Sequence, residues 1–287
     1  MWRLLFVFLL ASCSHESAGP CQLQPVADLP VTLDHNSIEV TGLVKGTETS
    51  LIIDTGAERT LLTNSTVTYL LLPRSKLSAT RLVGVGGAVS NADAFADLDL
   101  GHASFNQRLA VADIPRVGGL VGGDMLSDYD VEFDLPDHRF RLWRASGCGA
   151  ADLPWHGPRA TVPIQVTDGK RLRVPVTIDG KPIEALLDSG ASVSLLQADA
   201  ARALGVTQAA LAADPALLVH GVDGSTIRLP MHRFDALSVG EERIGSPKIG
   251  IDENKLESTE MLLGLDYLRG RKVWISYRTG QMFVQRP

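Results

Sequence analysis

The second half of this sequence repeats the first half in the same order. The segment Leu51–Ala57 (LIIDTGA) precedes a Leu-Leu pair, and Ala185–Ala191 (ALLDSGA) precedes a second Leu-Leu pair at the same spacing. Further along, Gly119–Leu126 (GLVGGDML) aligns with Met261–Leu268 (MLLGLDYL) without a gap. A unit that occurs twice in one chain predicts two similar structural units that pack against each other.

The sequence between these segments favours β structure. Short stretches of alternating apolar residues are separated by Gly, Pro, Asn and Asp, which is typical of all-β proteins. Each half also ends in two such stretches around a turn, at Pro136-Asp137 and at Thr279-Gly280. Among the alternating stretches, Val162–Val166 is predicted as one strand. Helical periodicity is confined to short stretches such as Gln197–Gly205. We therefore predict an all-β fold of two lobes related by pseudo-two-fold symmetry.

Composition and charge exclude several classes of protein. The chain has 287 residues, a net charge of −6 and no run of Lys or Arg longer than two, so it lacks the basic surface that binds nucleic acid. It contains no CxxC or HExxH motif and no cluster of His and Cys, so we predict neither a metal site nor a cofactor. The predicted segments are a signal peptide (1–18), an N-terminal lobe (19–144), a Gly- and Pro-rich linker (145–160) and a C-terminal lobe (161–287).

The N-terminus predicts export. Met1–Ala11 carries one positive charge and then an apolar run that is too short to span a bilayer. Leu10–Cys13 resembles a bacterial lipobox, in which Cys13 would be lipidated; ordinary cleavage after Ala18 is the alternative. We expect a periplasmic protein or a lipoprotein of the outer membrane, which contacts a membrane only through a lipid anchor.

Lipidation of Cys13 would leave Cys21 and Cys148 as an even pair in a compartment that permits disulfides. We expect these two cysteines to form a disulfide that ties the mature N-terminus to the middle of the chain. Two unpaired, unreactive thiols are the alternative.

The repeated segments place one acid in each half at an equivalent position. Asp54 and Asp188 each follow an apolar run and precede a hydroxyl residue and a glycine. If the halves pack about a two-fold axis, these acids meet, and two carboxylates so close share one proton near neutral pH. One can then activate a water molecule while the protonated one polarises a carbonyl group, and the pair titrates as a unit. Two ordinary turns are the alternative, but the equivalent flanking residues in both halves favour a pair of acids that act together. We call Asp54 and Asp188 the dyad.

These features together resemble the aspartic peptidases of the retropepsin and pepsin superfamily. Asp54–Glu58 (DTGAE) is similar to the Asp-Thr-Gly-Ala-Asp loop of retroviral proteases. Leu120–Gly122 and Leu262–Gly264 match the apolar-apolar-Gly element that passes behind that loop. The resemblance covers Ile38–Trp143 and Val162–Val284.

The resemblance implies a monomer with both halves of the active site in one chain, hydrolysing peptide bonds without a cofactor. The implied site residues are the catalytic acids Asp54 and Asp188, the loop-linking hydroxyls of Thr55 and Ser189, and the amide donors Gly56 and Gly190.

The sequence departs from the pepsin pattern at two places. Ala57 and Ala191 stand where pepsin-like enzymes have Ser or Thr. Loss of a donor to the charged carboxylate raises its pKa, so we expect a weakly acidic to near-neutral pH optimum.

The tyrosine of the pepsin flap, the hairpin that covers the cleft, has no counterpart between Tyr69 and Tyr129. Glycine-rich segments resemble two flap tips, with ordinary tight turns as the alternative. The candidate flap residues are Gly84, Gly86, Gly87, Gly221, Asp223 and Gly224.

We therefore predict an exported aspartic endopeptidase that acts on peptides or proteins. The alternative is a catalytically silent peptide-binding or scaffold lipoprotein with the same fold. The presence of both acids and both hydroxyl neighbours favours the enzyme, because a protein that only binds has no chemical need for them.

Overall fold

The computed structural model describes residues 20–33, 36–84, 87–112, 114, 116–220, 226–253 and 259–285. Within these residues the chain is mostly β-strand with a few short helices, which confirms the predicted all-β, two-lobed fold class. None of the helices in these ranges has the length and apolar character needed to cross a membrane.

The first half of the chain forms a sheet of seven strands and contributes three strands to a shared sheet. Its elements are β1 (Gln22–Pro30), β2 (Glu39–Val44), β3 (Thr47–Ile53), β4 (Leu61–Leu62), α1 (Asn64–Tyr69), β5 (Arg74–Gly84), β6 (Gly87–Leu100), β7 (Ala103–Val111), β8 (Gly119–Val121), α2 (Gly123–Leu126), β9 (Asp130–Asp134) and β10 (Arg139–Ser146). The seven-stranded sheet has the order β2-β3-β8-β4-β7-β6-β5.

The second half repeats this arrangement with additional strands. Its elements are β11 (Ala160–Pro163), β12 (Gln165–Val166), β13 (Leu172–Ile178), β14 (Lys181–Leu187), β15 (Leu195–Gln197), α3 (Ala198–Ala203), α4 (Gln208–Ala213), β16 (Ala216–His220), β17 (Thr226–Arg233), β18 (Ala236–Val239), β19 (Glu242–Gly245), β20 (Lys248–Asp252), β21 (Met261–Leu263), α5 (Leu265–Leu268), β22 (Lys272–Ser276) and β23 (Gln281–Gln285). Its sheet runs β16-β17-β20-β15-β21-β14-β13-β18-β19, with β12 beside β13.

A buried parallel pair of strands lies at the centre of each lobe. In the N-terminal lobe β3 runs parallel to β8, and in the C-terminal lobe β14 runs parallel to β21. The apolar side chains of Ile53 and Leu187, at the ends of β3 and β14, are fully buried. Each acid therefore begins a loop at the point where a buried strand leaves the core.

A third sheet joins the lobes in the order β1-β10-β9-β22-β23-β11. At its centre β9 pairs with β22, so that Phe133 lies opposite Val273. Beside them, Lys272 Nζ lies 2.7 Å from Asp134 Oδ2, an ion pair between the two halves. The two lobes therefore share one hydrogen-bonded β-sheet.

The segment between β10 and β11 packs against this shared sheet. Cys21 and Cys148 form a disulfide at the start of the segment. Further along, Trp155 is buried and packs edge-on against Trp274, and its indole Nε1 donates a hydrogen bond of 3.0 Å to Glu132 Oε1. The disulfide and the buried indole fix both ends of this connection.

The strand predicted over Val162–Val166 is wrong as a single element, because it forms two strands that break at Ile164. Strand β11 pairs with β23 in the shared sheet, whereas β12 pairs with β13 in the C-terminal lobe. The chain crosses between sheets here, which an alternating apolar pattern does not reveal. The predicted helix within Gln197–Gly205 is confirmed as α3, whereas α1, α2, α4 and α5 were not predicted.

Candidate active site

The two acid loops leave their sheets through equivalent hydrogen bonds. The main-chain N–H of Asp54 donates to Val121 O at 3.0 Å, and that of Asp188 donates to Leu263 O at 2.9 Å. Both acceptors end the strand that runs parallel to the strand before the acid. These bonds fix the main chain at the first residue of each loop.

Each carboxylate is held by amides of its own loop. Asp54 Oδ1 accepts hydrogen bonds from the main-chain N–H of Gly56 (2.9 Å) and of Ala57 (3.0 Å). Asp188 Oδ1 accepts from the two equivalent amides of its loop, each at 3.0 Å. The loops thus orient both carboxylates in the same way.

The loops interlock across the boundary between the lobes. A Cβ atom on Gly56 would lie 2.4 Å from Asp188 Cγ, and a Cβ atom on Gly190 would lie 2.5 Å from Asp54 Cγ. Only glycine permits so close an approach of main chain to carboxylate. The two acids are therefore brought together where the loops meet.

Two hydroxyl groups link the loops beneath the acids. The main-chain N–H of Thr55 donates to Ser189 Oγ at 3.0 Å, and that of Ser189 donates to Thr55 Oγ1 at 3.1 Å. In turn, Thr55 Oγ1 donates to Leu187 O (2.8 Å) and Ser189 Oγ donates to Ile53 O (2.7 Å). Both hydroxyl residues have 0% exposure, so four hydrogen bonds between the lobes are shielded from water.

A second pair of acids supports the loops from behind. Thr60 donates to Asp124 Oδ1 through both its main-chain N (2.8 Å) and its Oγ1 (2.7 Å), and Thr60 Oγ1 also accepts from Gly122 N. In the other lobe Ser194 Oγ donates to Asp266 Oδ1 at 2.7 Å. These supporting residues were not predicted from the sequence, although Asp124 and Asp266 occupy the same position in the two repeated segments.

Burial sets the protonation of the dyad. Each acid is partly exposed as a residue, but its carboxylate is enclosed where the loops meet. Burial raises the pKa of Asp54, and the negative charge of Asp188 raises it further. Burial also raises the pKa of Asp188, while loop amides, the hydrogen bond from Asp54 and the charge of Arg171 oppose the rise. A pair of this kind retains one proton well above the pH at which a free carboxyl loses it.

Small aliphatic clusters flank the dyad in both lobes, and each includes the alanine that follows the loop glycine. The cluster of the N-terminal lobe is formed by Leu61, Ala110, Ala112 and Leu120, with Ile52, Ala57 and Ile114 partly exposed. The cluster of the C-terminal lobe is formed by Leu186, Leu195, Leu229 and Leu262, with Ala191, Val193, Val219 and Ile227 partly exposed. We call these two clusters the aliphatic walls.

An ion pair between the lobes lies at one side of the dyad. Glu58, which ends the first acid loop, has its Oε1 2.9 Å from Arg171 Nη2 in the C-terminal lobe. This pair was not predicted, because nothing in the local sequence places a charge of one half beside a charge of the other.

The candidate flap residues lie partly outside the described residues. Strands β5 and β6 form a hairpin in which Gly84 pairs with Gly87 at the tip, and Gly86 is outside the described residues. Strands β16 and β17 form the equivalent hairpin, whose last described pair is His220 and Thr226. The remaining flap candidates, Gly221, Asp223 and Gly224, and the candidate lipidation site, Cys13, are outside the described residues.

One group of possible metal ligands occurs in the described part of the chain. It consists of Cys21, Cys148 and Asp152. The two sulfur atoms are joined in the disulfide and are therefore not free to bind a metal as thiolates.

The comparison with known families matches both halves of the chain. A family model described as "Aspartyl protease" matches residues 40–125 and 174–267, which together make up more than half of the sequence. One of the two acids lies in each matched region. No curated protein matches the chain.

Proposed function

Since the chain belongs to this aspartyl protease family, with one matched region in each half, we propose that it is an aspartic endopeptidase with a complete active site in a single chain. The observation that carries the proposal is the approach of each acid to the glycine of the opposite loop, so close that an added Cβ atom would lie 2.4 or 2.5 Å from the carboxylate carbon. That packing brings the two carboxylates side by side where the lobes meet.

The paired carboxylates provide both an acid and a base for hydrolysis. One proton is shared between Asp54 and Asp188, so one carboxylate can take a proton from water while the other donates its proton to the carbonyl oxygen of the substrate. Addition of the resulting hydroxide to the carbonyl carbon gives a neutral diol. Proton transfer to the peptide nitrogen then allows the C–N bond to break.

The aliphatic walls indicate which side chains of a peptide substrate the site would prefer. They lie on either side of the dyad and, among the described residues, contain no aromatic or charged side chain. An extended peptide that forms strand-like hydrogen bonds would therefore place medium-sized aliphatic side chains against them. We propose cleavage between aliphatic residues.

The pH optimum follows from the two alanines. Ala57 and Ala191 donate to the carboxylates through their main-chain amides and have no hydroxyl to add. Because burial raises the pKa of both acids, the singly protonated dyad persists toward neutral pH. We propose an optimum in the weakly acidic to near-neutral range.

The disulfide supports an oxidising compartment for this protein. Cys21 and Cys148 are paired, as is common in exported proteins and rare in the cytosol. Together with the apolar N-terminal segment, this favours an exported monomer, either anchored by a lipid at Cys13 or released by cleavage after Ala18.

The experiment is cleavage of a mixed peptide library by the purified mature protein between pH 3 and pH 8, with the cut sites read by mass spectrometry. Asp54→Asn and Asp188→Asn should each abolish cleavage, whereas the matched control Asp137→Asn, an exposed acid in a turn, should not. A statine-type inhibitor should also block the wild type. Peptides that bind without being cut at any pH would instead support the catalytically silent binding protein.

A further inference from the structure

Arg171 directly precedes β13 and Asp188 directly follows β14, at the same end of one antiparallel ladder. The last pair of this ladder is Arg173 with Leu186, and extending its register by two residues aligns Arg171 with Asp188. Alternate residues of a strand share one face, so this alignment continues the face of Leu186, which belongs to an aliphatic wall. The positive charge of Arg171 opposes the rise in the pKa of Asp188.

The opposite lobe holds Arg171 in place. Arg171 Nη2 lies 2.9 Å from Glu58 Oε1, and Glu58 is four residues after Asp54. A Cβ atom on Gly169 would lie 2.4 Å from Glu58 Cδ, so the turn that leads to Arg171 packs directly against this glutamate. In the same turn Thr167 N donates to Arg171 O at 2.9 Å. The guanidinium is therefore held by a residue of the first acid loop, and the main chain that carries it is held by the turn of its own lobe.

The N-terminal lobe has a neutral residue at the equivalent position. The last pair of the ladder between β2 and β3 is Glu39 with Ile52, and extending its register by the same two residues aligns Ser37 with Asp54. Ser37 Oγ donates to Glu39 Oε1 at 2.8 Å. The residue of the second acid loop that corresponds to the glutamate is Ser192. Beyond the strand ends, the register thus aligns one acid of the dyad with a cation and the other with a hydroxyl.

We propose, on the basis of the proposed peptidase function, that Arg171 is a positioning residue that makes the two acids inequivalent, keeping the negative charge on Asp188 and the shared proton on Asp54. An opposite charge near a carboxylate favours its ionised form.

The charge placement assigns a role to each acid. Asp188 takes a proton from water as the hydroxide oxygen bonds to the carbonyl carbon, and Asp54 gives its proton to the carbonyl oxygen. In the second step Asp188 gives its proton to the peptide nitrogen as the C–N bond breaks. Asp54 recovers its proton from a hydroxyl of the diol, which becomes the new carboxyl group, and the dyad returns to its starting state.

The other charged groups near the dyad have partners elsewhere. Arg59 Nη1 lies 3.8 Å from Asp93 Oδ2, and Arg59 Nη2 donates to Arg108 O. Arg173 pairs with Glu184 at 3.3 Å within the C-terminal lobe. The remaining titratable or charged side chains on the elements packed around the dyad include Glu39, Asp124, Asp168, Lys170, Asp266 and Tyr277.

The test is a titration of the carboxyl groups by NMR, with aspartate labelled with ¹³C at the side-chain carboxyl carbon and the two signals assigned from Asp54→Asn and Asp188→Asn. In the wild type the signal of Asp188 should reach its ionised position at lower pH than that of Asp54. Arg171→Gln should raise the first apparent pKa of the dyad by about one unit, because a nearby cation is lost. Arg171→Lys should restore most of the shift.

Two variants separate charge from structure. Glu58→Gln removes a negative charge and should lower the first pKa of the dyad, opposite in sign to Arg171→Gln, although both break the same ion pair. Arg173→Gln also removes one positive charge, but from a position two residues further from the dyad. The pKa values of the dyad should stay close to those of the wild type. Loss of the Asp54 proton first in the wild type, or shifts of the same sign in Arg171→Gln and Glu58→Gln, would overturn the proposal.

Kinetics then connect the charge placement to hydrolysis. In Arg171→Gln the acid limb of the pH profile of kcat/KM should move to higher pH by as much as the first pKa of the dyad rises. At one pH unit below the midpoint of that limb, kcat/KM should be about tenfold lower than in the wild type. A wild type that cleaves nothing would contradict the proposed peptidase function. The titration would still decide where the charge lies, because it does not require turnover.

Discussion

The two lobes can be compared residue by residue at the acid loops. Asp54 and Asp188 each accept two main-chain hydrogen bonds, between 2.9 and 3.0 Å, from their own loops. The charged residues differ, since the first loop continues with Glu58 and Arg59 and the second with Ser192 and Val193. Contacts in the buried centre permit few residue types, whereas the loop ends tolerate different ones. The lobes therefore match in hydrogen bonding and differ in electrostatics.

The supports of the two flap hairpins show a second difference. In the N-terminal lobe Arg74 Nη1, at the start of β5, donates to Asn64 Oδ1 at 2.9 Å. In the C-terminal lobe His232 Nδ1, on β17, lies 2.7 Å from Asp214 Oδ2, just before β16. Each hairpin is tied to the helix that precedes it, but by a different pair of side chains.

The largest expected effect tests whether the acids are equally necessary. Asp54→Asn and Asp188→Asn should each lower kcat by at least about 10³-fold, because the pair acts as a unit and neither acid alone supplies both proton transfers. Steady-state cleavage of the best library peptide measures this. Residual activity in only one variant, at a level above about a tenth of the wild type, would contradict a shared dyad.

The next effect tests the interlocking of the loops. Gly56→Ala and Gly190→Ala should each lower kcat by about 10²-fold, because the new methyl group would displace the acid of the opposite lobe by a distance that matters for proton transfer. The matched control is Gly245→Ala, since no atom lies within 4 Å of its added Cβ. Similar losses at both loop glycines would support the symmetry of the site, and an unchanged kcat in either would contradict it.

A smaller effect concerns the hydroxyl groups that link the lobes. Thr55→Val and Ser189→Ala should each lower the free energy of unfolding by about 2 kcal/mol, because a buried carbonyl and a buried amide lose their partner. Urea denaturation measures this, with the exposed Thr41→Val as the control for the change from Thr to Val. A cost no greater than that of the control would show that the links do not stabilise the association of the lobes.

A separate prediction concerns the pH dependence of stability, whose effect accumulates over several pH units. Because the pKa of Asp54 is raised on folding, the wild type loses stability as the pH rises from about 4 through the folded-state pKa. Asp54→Asn removes this loss, so its advantage over the wild type should grow with pH by up to about 1.4 kcal/mol per unit. Asp188→Asn should gain less stability over the same pH range. Its remaining acid, Asp54, is still buried and is not aligned with the cation that Asp188 has. Thermal or urea unfolding between pH 4 and pH 8 would show equal gains if the lobes were electrostatically alike.

Much of the site could be predicted from the sequence because its residues are local to two repeated motifs. Asp54, Thr55 and Gly56 follow a buried strand directly, and the same order recurs at Asp188. A hydrogen bond from a loop amide to the carboxylate two residues earlier depends on that local order. The switch of β11 and β12 between sheets could not be predicted, because it depends on which sheet each segment joins.

The sequence by itself determined the duplication, the all-β fold class and the pair of acid loops, since these follow from periodicity and from residue types that only certain backbone positions accept. Only the tertiary structure decided that Glu58 meets Arg171, and that the strand registers align Arg171 with Asp188 but Ser37 with Asp54. The physical reason is that strand register and the packing of the lobes bring together residues that are distant in the chain. Charges act through space, so their effect on the dyad is fixed by that packing and not by the local sequence.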